Sequence, residues 1–280
     1  MNVYGVAAGR PRRLGGWRRT ELVAPPRESS PYRGPSEAGV EEDLIPEARD
    51  QGDIGQCVGE CVAEVMEGCE YRALSLIQLK AARANGSRRL FSPRFAYYVG
   101  RKLEGTSPTD DAGMQVATGF RVLDLYGIPP REAWDDDQPF SREPTREAYS
   151  EAYNYKALLH LPLPNLATMK RCIDDGFSFA FGMDVSKQLM SREAEISGLV
   201  PFVDSAADFN GAGHAMTAWR RSDTIRIGSD VGGFLVLNHW SRAWGLNGRA
   251  WISYKYFLSG HATDAHSARR ITLVDERQLL

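Results

Sequence analysis

Apolar residues recur at helical spacing through the first half of the chain and in short β-favouring runs through the second. Val58, Val62, Val65 and Cys69 fall at i, i+4, i+7 and i+11, a single helical face, which predicts a helix beginning near Gln56 and ending towards Asn85-Gly86. The glycine-punctuated run from Asp50 to Gln56 leads into it, so Cys57 lies in the first turn. Val116, Phe120 and Leu123 predict a second helix from Gln115 to Tyr126, ended by Gly127-Ile128-Pro129-Pro130. Runs at Phe177–Val185, His214–Arg220, Phe234–Asn238 and Ala250–Tyr254 are separated by Gly, Asp and Ser clusters and read as strands. A helical half followed by a strand-rich half predicts an α+β fold with a ligand cleft between the halves.

Composition narrows the class. With 42% hydrophobic and 25% charged residues over 280 positions, the chain is an ordinary globular sequence. No stretch approaches the roughly 18–20 apolar residues of a membrane span, and arginines interrupt the N-terminus where a signal core would sit. A net charge of −2 excludes a globally basic nucleic-acid binder, and four cysteines are too few for a disulfide scaffold. A cytoplasmic protein with neither membrane nor nucleic-acid partner is expected. The charge is uneven: residues 1–35 hold seven arginines, two glutamates, five prolines and five glycines, a net of +5 against −7 for the rest. This arm is expected to be extended or irregular, hugging the surface, docking on an acidic partner or occluding the cleft.

A nucleophilic thiol needs its thiolate form, and the unpaired N–H groups of a first helical turn favour it. It also needs a histidine partner, a group to orient that imidazole, and donors for an oxyanion. Asp50-Gln51-Gly52-Asp53-Ile54-Gly55-Gln56-Cys57 resembles the active-site entrance of papain-like cysteine peptidases, with a glutamine six residues before the nucleophile. Gly213-His214-Ala215, and Asn238-His239-Trp240 followed by Trp244-Gly245-Leu246-Asn247-Gly248, resemble that family's histidine and asparagine segments in the family's order. Phe91-Ser92-Pro93, Tyr97-Tyr98 and Asp110-Asp111-Ala112-Gly113 resemble landmarks of its helical half, so the resemblance covers roughly residues 40–260.

The resemblance implies a papain-like α+β fold: a helical left half, an antiparallel β-barrel-like right half, and the site in the cleft. Residues 1–39 would be the arm and 40–262 the peptidase domain, helical over about 40–140 and β over about 155–262, with a C-terminal tail at 263–280. Cys57 would be the nucleophile, His214 its partner and general acid, Asn238 the group that holds His214, and Gln51 an oxyanion donor beside the Cys57 N–H. Trp240 would shield the histidine. Gly113 would offer main-chain hydrogen bonds to an extended peptide or protein substrate, and Gly182 and Ala215 would wall the pocket for the residue preceding the scissile one. No cofactor or metal is implied.

Departures from the family pattern carry expectations too. Ile54 stands where many members have a disulfide cysteine, which fits a reducing compartment. Gln56 and Val58 replace the usual serine and tryptophan beside the nucleophile. His239 replaces a serine, and is read either as exposed filler or as a group that tunes the pH profile. Some 40 residues precede the domain, so control by a long inhibitory prosegment is not expected. Cys61 is the rival nucleophile one turn deeper, while Cys69 and Cys172 read as core thiols. Spacings of four and eight among Cys57, Cys61 and Cys69 lack the knuckle of a zinc site. Asp135-Asp136-Asp137 reads as a solvated loop, the tryptophans of the β half as core, and His160, His261 and His266 as lacking any evident partner. The leading expectation is a cysteine peptidase; the alternatives are a transpeptidase or amidase on the same scaffold, and an inactive papain-fold binding protein.

Overall fold

The computed structural model describes residues 33–41, 44–72, 74 and 76–270. Expectations for the arm up to residue 32, and for the tail beyond 270, lie outside the described residues. In chain order the helices are α1 (Cys57–Arg72), α2 (Leu76–Ala84), α3 (Pro93–Leu103), α4 (Val116–Leu125), α5 (Arg146–Tyr153), α6 (Leu166–Asp174), α7 (Arg192–Ser197) and α8 (Lys255–Leu258). The strands are β1 (Glu37–Gly39), β2 (Leu159–Pro162), β3 (Phe179–Ser186), β4 (Leu199–Val200), β5 (Phe209–Ile227), β6 (Asp230–Leu237), β7 (Arg249–Ser253) and β8 (Ala262–Arg269).

The strands form one sheet in the order β2-β8-β3-β5-β6-β7-β4, with β1 added along β5. Pairing is antiparallel except for β4 with β7, and the strands form one mixed sheet that is not closed into a barrel, so barrel-like describes it only loosely. Register shifts between Ala218 and Arg220, and between Ser222 and Arg226, bend the long strand β5. Two boundaries move. β1 pairs Glu37, Ala38 and Gly39 with Ser222, Arg221 and Arg220, so the end of the arm is part of the sheet. The tail expected from residue 263 is instead an interior strand, because β8 runs between β2 and β3. Its buried positions, Ala262, Ala265, Ser267 and Ala268, are small, and its polar neighbours masked the strand pattern.

Helix α1 is the axis of the helical half and is buried on nearly every side. Close approach explains its neighbours: a Cβ on Gly59 would lie 2.5 Å from the Pro93 carbonyl oxygen at the start of α3. One on Gly119 of α4 would lie 2.7 Å from Val62 and 2.8 Å from Val58. Ser92 caps α3 by accepting the Phe95 N–H at 3.0 Å, with Pro93 preset at the first helical position. The expected apolar face of α1 packs with Phe91, Phe120 and Leu123 on one side and with Ala180, Ala215 and Ala268 of β3, β5 and β8 on the other. Small residues on those strands let the helix lie against the sheet. That contact sets Cys57 beside the strand that carries His214. A second core, built on Phe179, Phe181, Phe234 and Phe257, fills the other face of the sheet.

Candidate active site

The loop before α1 is fixed from two directions. Asp111 accepts the Gly55 N–H through both carboxylate oxygens, at 3.0 and 3.2 Å, and also accepts the Tyr97 hydroxyl. On the other side the Gln51 N–H donates to the His239 carbonyl at 3.1 Å and the Ser241 N–H to the Arg49 carbonyl at 3.0 Å, with Asp50 bridged to Trp240. The segment carrying Gln51 is thus strapped, in antiparallel fashion, to the segment carrying Asn238. Gln51 Nε2 donates one N–H to the Ile54 carbonyl at 2.8 Å, which orients the amide and leaves its second N–H available.

His214 Nε2–H donates to Asn238 Oδ1 at 2.7 Å, which leaves Nδ1 as the ring nitrogen for chemistry. The Trp240 ring stacks on the His214 ring, with centroids 4.8 Å apart and planes 24° apart, and Trp244 meets Trp240 edge-on at 5.4 Å. His214 is 2% exposed and Asn238 fully buried, so their bond is dry. Cys57 begins α1, and the backbone of Ala215, the residue after His214, together with that of Val58 and of Cys57 itself, favours its thiolate. Burial is the larger effect and pushes the thiol up to about 12 against that backbone influence. In this state Cys57 is a neutral thiol at pH 7.

The other expected site residues are placed as follows. Gly182 pairs in register with Ala215 across β3 and β5, and both are buried. Gly113 is close to the loop, yet its N–H donates to the Tyr97 hydroxyl at 3.1 Å. The donor expected for substrate is therefore engaged with Tyr97. Cys61, Cys69 and Cys172 are buried free thiols, as expected of core cysteines, and burial raises all three. Among the described residues no group of three or more His, Cys, Asp or Glu is arranged to hold a metal.

Sequence reasoning missed the polar side of α1. Glu60, Glu64 and Glu67 recur at i, i+4 and i+7, yet all three are buried. Arg49 pairs with Glu60 at 3.5 Å and with Glu67, Gln56 Nε2 donates to Glu60 at 2.7 Å, and Glu67 also accepts the Phe91 N–H. Burial raises Glu67 to about 7, outweighing the attraction of Arg49. His239 is not exposed filler: it is fully buried and its Nε2 lies 3.1 Å from Glu64 Oε1. The remaining histidines have partners as well. His160 meets His266 at 2.7 Å and Asp124 at 3.2 Å, and His261 meets Asp184 at 2.8 Å. In the Asp135-Asp136-Asp137 loop, the first two carboxylates pair with Arg131.

A central helix bearing a cysteine at its start, packed on a sheet bearing histidine and asparagine, is the fold of the papain-like cysteine peptidases. The comparisons agree with that class. An uncharacterized peptidase C1-like protein of Acanthamoeba polyphaga mimivirus is 29% identical over 219 residues, covering 74% of this chain and 64% of that protein. The chain thus spans just under two thirds of that relative's length. Among solved structures, xylellain, a cysteine protease from Xylella fastidiosa, superposes with a TM-score of 0.73 at 22% identity, over 95% of this chain and all of that one. The proform of Amb a 11, a ragweed pollen cysteine protease, gives 0.60 at 15% identity over 92% of this chain and 70% of its own. A digestive procathepsin L 3 of Tenebrio molitor gives 0.58 at 15% identity over 92% and 76%. No family model matches the chain.

Proposed function

We propose that the protein is a cysteine peptidase that cleaves peptide bonds through an acyl-enzyme on Cys57. The observation that carries this is the dry His214–Asn238 bond of 2.7 Å under Trp240, on the strand whose next residue contacts the Cys57 thiol. His214 Nδ1 takes the thiol proton as sulfur bonds to the peptide carbonyl carbon. The carbonyl oxygen becomes an oxyanion held by the Cys57 N–H and the second N–H of Gln51 Nε2. The C–N bond then breaks, and the imidazolium gives its proton to the leaving amine. Water, deprotonated by the same imidazole, attacks the thioester; the acid leaves and the thiol is restored.

Asn238 keeps Nε2 occupied so that Nδ1 alone faces the reaction, and Trp240 keeps water from competing for that bond. The 0% exposure of Cys57 and its pKa of about 12 favour a second reading, a papain-fold protein whose thiol stays inert. Hydrolysis of a fluorogenic peptide library by the wild-type protein and by Cys57→Ala and His214→Ala separates the two. The peptidase reading expects turnover in the wild type and none in either variant. Equal turnover by Cys57→Ala would overturn the assignment of the nucleophile. Product masses with an added amine distinguish hydrolysis from acyl transfer.

A further inference from the structure

His239 occupies the residue between Asn238 and Trp240, and three contacts join it to three different parts of the proposed site. Its backbone N–H donates to Asn238 Oδ1 at 2.8 Å, the same oxygen that accepts His214. Its carbonyl accepts the Gln51 N–H at 3.1 Å. Its ring Nε2–H donates to Glu64 at 3.1 Å, seven residues along α1 from Cys57 and so on the same side of that helix. Both side chains are fully buried. A cavity of about 510 Å³ borders Arg49, Glu60, Glu67, Tyr71, Arg88 and Asp136, so the rest of the acidic cluster adjoins open space while the Glu64–His239 pair is enclosed.

Asn238 shows why such an anchor matters. Its Nδ2 has no hydrogen-bond partner, so nothing on the nitrogen side distinguishes the two orientations of the amide. The distinction is made at Oδ1, by two donors: His214 Nε2–H and the His239 N–H. If the His239 N–H drifts, the amide is free to turn and present N–H₂ to His214, which then has no acceptor. A hydrogen bond from the imidazolium to Oδ1 favours its charged form, so loss of that acceptor makes the ring easier to deprotonate.

Resting on the peptidase reading above, we infer that His239, tethered by Glu64, is a positioning residue: it holds the Asn238 amide in the orientation that accepts from His214. The groups that face His239 are Glu64 and Glu60 of α1 and the His214 ring of β5 with its centroid 6.2 Å away, with Arg49 joined to Glu60. Removing one partner of a buried hydrogen-bonded pair leaves the other unsatisfied and is destabilising. Glu64→Gln, which keeps size and an acceptor, is therefore paired with His239→Ala and the double variant, each first checked for a cooperative thermal transition.

The readout is the pH dependence of kcat/KM, with kcat and KM taken separately, on a peptide substrate, alongside labelling of Cys57 by iodoacetamide at neutral pH. The wild type should label at Cys57 and give a bell-shaped kcat/KM profile, whose alkaline limb reports loss of the proton that His214 gives to the leaving amine. In His239→Ala the alkaline limb should move down by about one pH unit, and kcat should fall roughly tenfold with KM within about twofold. Glu64→Gln should show the same change in smaller measure, and the double variant should be no worse than His239→Ala. A defect of folding alone would lower the labelled fraction and leave the limb where it was. A wild-type bell with an unmoved limb in His239→Ala, or with losses that multiply in the double variant, overturns the positioning role and spares the peptidase reading. Absence of wild-type labelling at Cys57 removes both.

Discussion

Gln51 has two N–H groups on Nε2, and the structure spends only one, on the Ile54 carbonyl. If the other meets the oxyanion, Gln51→Ala should lower kcat by roughly 10²–10³ and leave KM nearly unchanged, since the contact exists only when charge develops on oxygen. Steady-state kinetics on one peptide substrate tests this, and a variant that changed KM alone would place Gln51 in ground-state binding instead. The thiol is the other decisive residue. Burial sets it at about 12 although its backbone donors pull the other way. On the proposed mechanism the proton passes to His214 as the site is engaged. These residues stood out as candidates in the sequence because each is tied to a spacing or a neighbour: Gln51 six before Cys57, His214 before Ala215, Asn238 two before Trp240. Their hydrogen-bond state was not legible, since the Gly113 N–H goes to Tyr97 through a contact that no spacing encodes.

At the scale of elements, α1 shows where pattern reading stops. The valine stripe gave a helix with a buried face, though the one helix expected towards Asn85-Gly86 is two, α1 and α2; and periodicity identifies the most apolar face and cannot tell that the opposite one is buried too. Glu60, Glu64 and Glu67 would have looked solvated on any surface helix. What buries them is the chain on either side of the site, through Arg49 and His239, and those are long-range contacts. The cluster has a measurable consequence. Glu67 is raised from 4.5 to about 7, so the folded form binds a proton that the unfolded chain has released between those values. Its contribution to stability is present below about pH 4.5 and lost as pH rises through about 7. Urea unfolding at pH 5 and pH 8 should show Glu67→Gln losing less stability across that interval than the wild type. An identical pH slope in the two proteins would contradict the assignment.

For the whole molecule, the two halves are joined where α1 lies on Ala180, Ala215 and Ala268 of three different strands. The α+β class and a mainly helical half before a strand-rich one followed from the sequence, whereas the course of the sheet did not. β8 was hidden by its polar positions, and β1 by its place at the end of an arginine-rich arm. Because β8 pairs with both β2 and β3, a chain shortened to residue 261 should lose cooperative unfolding, seen as a broad featureless melt by circular dichroism. A sharp transition in that chain would mean that β8 is dispensable. The described residues include no helix long and apolar enough to cross a membrane.

Which thiol reacts separates a working peptidase from an inert fold, and four buried free cysteines make that a discriminating question. The most direct measurement is to treat the protein at neutral pH with an epoxide or vinyl-sulfone inhibitor of papain-like peptidases and map the adduct by peptide mass spectrometry. The account predicts one equivalent of label on Cys57, none on Cys61, Cys69 or Cys172, and loss of labelling in His214→Ala. Label on Cys61, or labelling of Cys57 that persists undiminished without His214, would contradict it.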